Sequence, residues 1–239
     1  MAAVPSPAQA VLQAIEKRSN PCRTQVVDEA SIMAATFDDG PHPSGTRAVM
    51  NVLHRYQSKG TFFVLGPEVM RYRSIAREIV DSGHEIGLHG WHHERMDLMS
   101  WRAIHRAIVQ AKEAVEDVCG VPVRFLRPPY GLVTPAVADV AATLGLTIAG
   151  WNANSDDWRE PAVAESITAL AVGGVRGKVV LFHDGSGDPG VTSRVLTWLL
   201  RTAGKSGVKP LTLSEYAAVN CLPDWPIHEP SLFPAIDNF

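Results

Sequence analysis

Acidic and imidazole side chains recur at a few points of this sequence in company that could hold a metal ion and move protons. Asp38 and Asp39 stand side by side in Thr36-Phe-Asp-Asp-Gly40, and His89 and His93 bound the stretch His89-Gly-Trp-His-His93. Arg127 opens Arg127-Pro-Pro-Tyr-Gly131, Asp156 and Asp157 precede Trp158, and His183-Asp184-Gly185 adds a further histidine beside a carboxylate. Histidines four apart on one helical turn point the same way and can grip a single cation. One added carboxylate makes a set of two nitrogens and one oxygen, which leaves a position for water or substrate as catalytic zinc requires. Two adjacent carboxylates repel unless their tasks differ, so one of Asp38 and Asp39 is expected to bind metal and the other to stay a free base. A nearby arginine can hold that base ionised and aimed. A histidine with a carboxylate partner can serve as a general acid.

Each group has a plainer explanation when taken singly. Asp and Gly favour turns, a histidine pair is often incidental on a surface helix, and Arg-Pro-Pro makes a stiff loop. Their placement changes the balance. Seven short apolar runs rich in β-branched or aromatic residues read as strands: Ile32–Asp38, Thr61–Leu65, Glu85–His89, Val123–Arg127, Thr147–Asn152, Lys178–His183 and Pro210–Leu213. Asp38, His89, Arg127 and His183 stand at the ends of four of these runs with Asp39 directly after the first, and Asp156 and Asp157 follow a fifth. Active sites of parallel α/β folds form at those carboxyl ends.

Helical periodicity fills most of the intervals. Arg47–Tyr56 carries an apolar face of Val49, Val52, Leu53 and Tyr56, and Ile75, Ile79 and Val80 form a second face ended by Gly83. Trp101–Cys119 is the longest helix, stopped by Gly120 and Pro122. Pro135–Leu144 and Pro161–Ala171 each open with proline, and Val195–Leu200 leads the last helix, closed by Gly204 and Gly207. This alternation implies parallel strands with crossover helices, satisfied by either a doubly wound sheet or a barrel. No repeat of fixed length and no low-complexity segment is present.

The chain has 239 residues, 46% of them hydrophobic and 20% charged, which suits one large domain with a sizeable core. A net charge of −3 gives no electrostatic reason to expect nucleic acid or an anionic membrane as partner. No apolar stretch reaches the roughly 18–20 residues that span a bilayer. The start of the chain lacks the basic opening and apolar run of a signal peptide, so the sequence reads as cytoplasmic as written, or as secreted if a leader lies upstream. Pro7–Lys17 reads as a short amphipathic helix within an N-terminal extension over residues 1–30. A catalytic domain is expected over 31–220, and a proline-containing strap over 221–239, with Trp225, Phe233 and Phe239 to pack it down. Cys22, Cys119 and Cys221 form no CxxC pair and read as buried or incidental thiols.

With these motifs in order, the chain resembles the polysaccharide deacetylases, carbohydrate esterases that include chitooligosaccharide and peptidoglycan deacetylases. The resemblance runs from about Ala34 to Tyr216 and includes Gly60-Thr-Phe-Phe-Val-Leu-Gly66, Gly83-His-Glu-Ile-Gly87 and Leu211-Thr-Leu-Ser-Glu215. It implies a distorted (β/α) barrel of about seven parallel strands. It also implies a hydrolase that removes an N-acetyl group from an amino sugar or oligosaccharide with the help of one divalent metal. Zinc suits the ligands, and cobalt, nickel or iron(II) could occupy similar ones. By the resemblance Asp38 is the catalytic base and Asp39, His89 and His93 are the metal ligands. Arg127 orients Asp38, the Tyr130 backbone N–H helps bind the oxyanion, and Asp157 supports the general acid His183. Leu181 and Trp158 line the pocket for the acetyl methyl, while His92 falls outside the ligand positions.

Three positions depart from the family pattern. Gly90 stands where Ser or Thr is common, Leu88 where Asn is frequent, and Asn154 where the fourth motif usually opens with Asp. The hydroxyl normally found at position 90 braces the loop, so that contact is expected to be missing or replaced. Other readings of the same residues are a deacylase of a small N-acylated metabolite, an O-acetyl esterase of the xylan type, and an inactive barrel that binds glycans.

Overall fold

The computed structural model describes residues 31–159 and 163–219. The amphipathic helix expected at Pro7–Lys17, the extension over 1–30, the strap over 221–239, Cys22, Cys221 and the proline opening at Pro161 all lie outside the described residues. Strand β1 (Ile32–Asp38) is followed by α1 (Gly45–Arg55), β2 (Thr61–Val64), α2 (Gly66–Arg71), α3 (Arg73–Asp81) and β3 (Glu85–Leu88). Then come α4 (Trp101–Cys119), β4 (Phe125–Leu126), α5 (Pro135–Thr143), β5 (Thr147–Ile148) and β6 (Ala153–Asn154). The order ends with α6 (Val163–Gly173), β7 (Lys178–His183), α7 (Pro189–Lys205), β8 (Lys209–Leu211) and α8 (Leu213–Val219).

All strand pairs are parallel, in the order β5-β4-β3-β2-β1-β7-β6, with β8 paired to the first half of β1. The sheet curls into a distorted (β/α) barrel. The run expected as one strand over Thr147–Asn152 is a strand only at Thr147–Ile148, and a second short one follows it at Ala153–Asn154, because the chain between them crosses between the two ends of the curled sheet. Ala149 N–H donates to Leu126 O on the β4 side, and Asn152 N–H donates to Val179 O on the β7 side. Val123–Arg127 likewise shrinks to Phe125–Leu126, and Leu213 leaves the last strand to open α8. Helices α2 and α8 are too short to show a periodic pattern. The longest helix has the expected bounds, capped by the Ser100 side chain at its start and by Gly120 at φ 70° at its end.

Alternation along the strands sorts the side chains. On β1, Met33, Ala35 and Phe37 face the helices, and Phe37 stacks on Phe62 at 4.8 Å and on Phe182 at 5.5 Å. The opposite face carries Ile32 and Ala34, which share a second cluster with Phe63, Phe125, Val179 and Leu211. That inner face continues through Thr36 to Asp38. The β1–β7 register pairs Thr36 with Leu181 and Asp38 with His183, so both reactive side chains face inward at the carboxyl end. Among the described residues no helix is long and apolar enough to cross a membrane.

Candidate active site

Arg127 is the centre of the polar cluster. Its side chain is wholly buried, and its Nη1 donates to Asp38 Oδ1 at 2.8 Å and to Thr36 Oγ1 at 2.9 Å. Nη2 donates to Gly150 O at 2.8 Å and Nε to Ala149 O at 3.3 Å, which ties the crossing segment to the barrel interior. The guanidinium also lies 4.1 Å from the Phe63 ring centroid. Burial holds its pKa below the ordinary arginine value, and the charge and hydrogen bond of Asp38 recover only part of that. The Arg127 carbonyl has a separate task. It accepts from His89 Nδ1 at 2.7 Å, which places a proton on Nδ1 and leaves Nε2 as the ring nitrogen for other contacts.

Nε2 faces Asp39. His89 Nε2 is 3.4 Å from Asp39 Oδ1, and His93 Nε2 is 3.6 Å from the same oxygen. One potential ligand atom from each of Asp39, His89 and His93 lies within 4.8 Å of the others. Asp39 Oδ1 is buried and has no hydrogen-bond partner, whereas Oδ2 accepts from the Ser186 hydroxyl at 2.7 Å. Burial raises the Asp39 pKa, but His89, His183, Ser186 and His93 outweigh it and hold the carboxyl below its ordinary value. Burial, then the neighbouring His89, pushes His93 down and favours its neutral ring. An ionised carboxylate oxygen without a donor, facing two imidazole nitrogens, is a donor set that fits a divalent cation.

The histidines do not converge through a helical turn, as their spacing suggested. Residues 89–95 form a bend in which Gly90 takes φ 99°, a conformation that a helix excludes. The bend is held from outside, since Gly66 N–H donates to Gly90 O at 3.2 Å and to Trp91 O at 3.1 Å. A Cβ at position 90 would lie 2.6 Å from Met96 Cε and 3.1 Å from His92 O. The hydroxyl expected there is therefore replaced by a backbone clamp and a glycine turn. His92 is exposed and outside the ligand set.

The opposite wall is built from the end of β7. His183 Nδ1 donates to Asp157 Oδ1 at 2.9 Å, and Asp157 Oδ2 accepts from His183 N–H at 3.0 Å and from Thr192 Oγ1 at 2.7 Å. Burial opposes charge on His183, yet the Asp157 hydrogen bond and charge, aided by Asp38 and Asp39, push its pKa up to about 9. Asn154 explains its own departure. Its side chain donates to Asp156 Oδ1 at 2.9 Å and accepts Asp156 N–H at 3.1 Å, shaping the turn that delivers Asp157. Leu88 is buried within β3, opposite Leu126.

Leu181 lies on the inner face two residues before His183. Tyr130 and Trp158 are partly exposed at the rim. Tyr130 adopts φ 61°, and its ring sits edge-on to His93 at 4.5 Å. The structure thus brings Asp38, Asp39, His89, His93, Arg127, Asp157 and His183 into one cluster, with Leu181, Tyr130 and Trp158 around it. Sequence reading missed Thr36, Ser186 and Thr192, whose types are too common to stand out, and the role of the Arg127 carbonyl, which no side chain announces. It also missed Asp184, which is buried and accepts from the Thr46 hydroxyl. Burial pushes Asp184 up to about 7 against the Thr46 hydrogen bond, with Asp39 and Asp38 adding to the rise.

Comparison with known proteins gives a consistent match. Residues 26–149 match the family described as polysaccharide deacetylase. The chain is 34% identical over 152 residues to the peptidoglycan-N-acetylglucosamine deacetylase PgdA of Listeria monocytogenes, covering 64% of this chain and 32% of that protein. It therefore spans about a third of that relative's length. It is 32% identical over 193 residues to the peptidoglycan-N-acetylglucosamine deacetylase of Bacillus cereus, covering 80% of this chain and 90% of the relative. The solved structure of the peptidoglycan deacetylase PdaC from Bacillus subtilis superposes with a TM-score of 0.74 at 24% identity, over 82% of this chain and 94% of that one, a likeness of fold.

Proposed function

The chain belongs to the polysaccharide deacetylase family, and from that premise and the geometry of its site we propose that it is a metal-dependent amidohydrolase. Its substrate in this reading is an N-acetylated amino sugar or oligosaccharide of the peptidoglycan or chitin type, the class named for its relatives. The observation that carries the reading is the division of labour between two adjacent carboxylates. Asp38 is held by Arg127, while Asp39 turns an unpartnered oxygen toward two imidazole nitrogens.

Asp39, His89 and His93 are the residues that hold the cation, with zinc the best fit to one oxygen and two nitrogens. When bound, a divalent ion supplies Lewis acidity to the acyl oxygen and lowers the pKa of water. Asp38, fixed through Oδ1 by Arg127, takes the proton of the attacking water. The Tyr130 backbone N–H donates to the acyl oxygen as it gains charge. His183 carries a proton at neutral pH and, with Nδ1 occupied by Asp157, delivers it from Nε2 to the departing amine. Leu181 and Trp158 enclose the acetyl methyl and limit water on that side.

The test combines two substitutions with a substrate panel. Asp38→Asn is expected to abolish acetate release and keep metal, while His89→Ala loses the metal itself. Chitooligosaccharides should be turned over in preference to N-acetylated small metabolites and acetylated xylan. Undiminished turnover by Asp38→Asn, or turnover of the small amides alone, would refute the reading.

A further inference from the structure

The Asp39 carboxylate is asymmetric in a way the family-level reading does not require. Oδ1 is buried without a partner and faces His89 and His93, and Oδ2 is taken by the Ser186 hydroxyl at 2.7 Å. A carboxylate on a single rotatable bond can otherwise turn and offer either oxygen, or both, to a cation. Two-oxygen binding would occupy the coordination position that water or the acyl oxygen needs.

Ser186 is placed with little freedom. The Asp184 and Gly185 N–H groups both donate to Asp38 O, at 3.0 and 3.2 Å, which staples the loop after β7 to the end of β1. Gly185 packs so closely on the Asp39 carbonyl that a Cβ there would overlap it. On the other side, Asp39 itself sits at φ 76°, a left-handed conformation that this packing must sustain. Both partners of the hydrogen bond are thus set by backbone contacts between the same two strand ends.

We propose that Ser186 is a positioning residue that holds Asp39 as a one-oxygen metal ligand, engaging Oδ2 so that Oδ1 alone meets the cation. This rests on the metal-centre reading above. The Ser186 hydroxyl supports the ligand from outside, in the manner of the groups that orient metal-binding carboxylates generally, where loss weakens metal affinity about 10–100-fold. Because Ser186 is exposed, the low end of that range is expected.

The full chain, stripped with a chelator, is titrated with cobalt(II) by calorimetry and by its visible absorption. Ser186→Ala is expected to raise the cobalt dissociation constant about tenfold. Its absorption bands should weaken and shift as a second carboxylate oxygen joins the coordination sphere. Ser186→Thr keeps the hydroxyl and should bind and absorb like the wild type. Wild-type affinity and an unchanged spectrum in Ser186→Ala would overturn the role of Ser186 alone. A wild-type chain that binds cobalt no better than His89→Ala would instead overturn the metal-centre reading, and this inference with it.

Discussion

Replacing Asp157 by asparagine probes the proton on which leaving-group departure depends. In the native fold Asp157 faces three donors: His183 Nδ1, His183 N–H and Thr192 Oγ1. Burial alone would lower the His183 pKa, and the ion pair with Asp157 outweighs it, raising the value from 6.5 to about 9. At about 1.36 kcal/mol per unit, that rise is linked to roughly 3 kcal/mol of folding stability. The folded value lies above the unfolded one, so the stabilisation is complete below pH 6.5 and is lost as pH climbs through about 9. Urea unfolding of the metal-free chain at about pH 6 and about pH 10 measures it directly, with other titrating groups cancelling between the two proteins. At the lower pH Asp157→Asn should be less stable than wild type by about 3 kcal/mol, and most of that gap should close at the higher pH. In the metal-loaded enzyme the same change should move the alkaline limb of the pH–rate profile down toward the ordinary histidine range. Stability curves that run parallel through this window would refute the coupling, because then Asp157 does not hold the charge on His183.

Two further substitutions examine the frame around the site. Arg127→Met leaves Asp38 buried without its cation and should cost about 3–5 kcal/mol in urea unfolding. Adding Asp38→Asn should recover part of that cost, and simple additivity of the two changes would show that the pair is uncoupled. Gly40→Ala places a methyl into the buried Asp184 carboxylate. It should cost about 1–3 kcal/mol by overpacking and weaken metal binding through Asp39. Gly204→Ala, whose added Cβ would meet nothing within 4 Å beyond its own helix backbone and chain neighbours, should be neutral or stabilising by about 0.5–1 kcal/mol.

The parallel strands and their inward-facing residues are legible from periodicity, whereas the closing of the sheet into a barrel is implied only by the family resemblance. Alternation along Ile32–Asp38 puts Phe37 against the helices and sends Thr36 and Asp38 inward, and the same period on β7 sends Leu181 and His183 to the same interior. In the structure that alternation makes Asp38, rather than Asp39, the carboxylate that meets Arg127 inside the barrel, a distinction that only the family resemblance draws in the sequence. Asp39 lies beyond the last regular position, where alternation says nothing. Its direction comes from a left-handed backbone at φ 76°, which aspartate tolerates better than most residues and which the close packing of Gly185 on its carbonyl accompanies here.

That packing is what the sequence conceals. Asp184 reads as the polar end of a strand, yet it is buried where the loops after β1 and β7 close on each other. Added Cβ atoms at Gly40, Gly45 and Gly185 would overlap the Asp184 carboxylate, the Asp184 carbonyl and the Asp39 carbonyl respectively. Each glycine looks like ordinary turn chemistry in its own neighbourhood. Only their mutual contact, across some 140 residues of chain, shows that they exclude side chains so that two carboxylates can point in different directions. The histidine bend makes the same point from the other side of the site. The four-residue spacing of His89 and His93 suggests a helix, but Gly90 and the Gly66 N–H clamp achieve the convergence without one. Residue types at strand ends therefore reveal which chemistry is present, while its geometry is set by backbone contacts between loops distant in sequence.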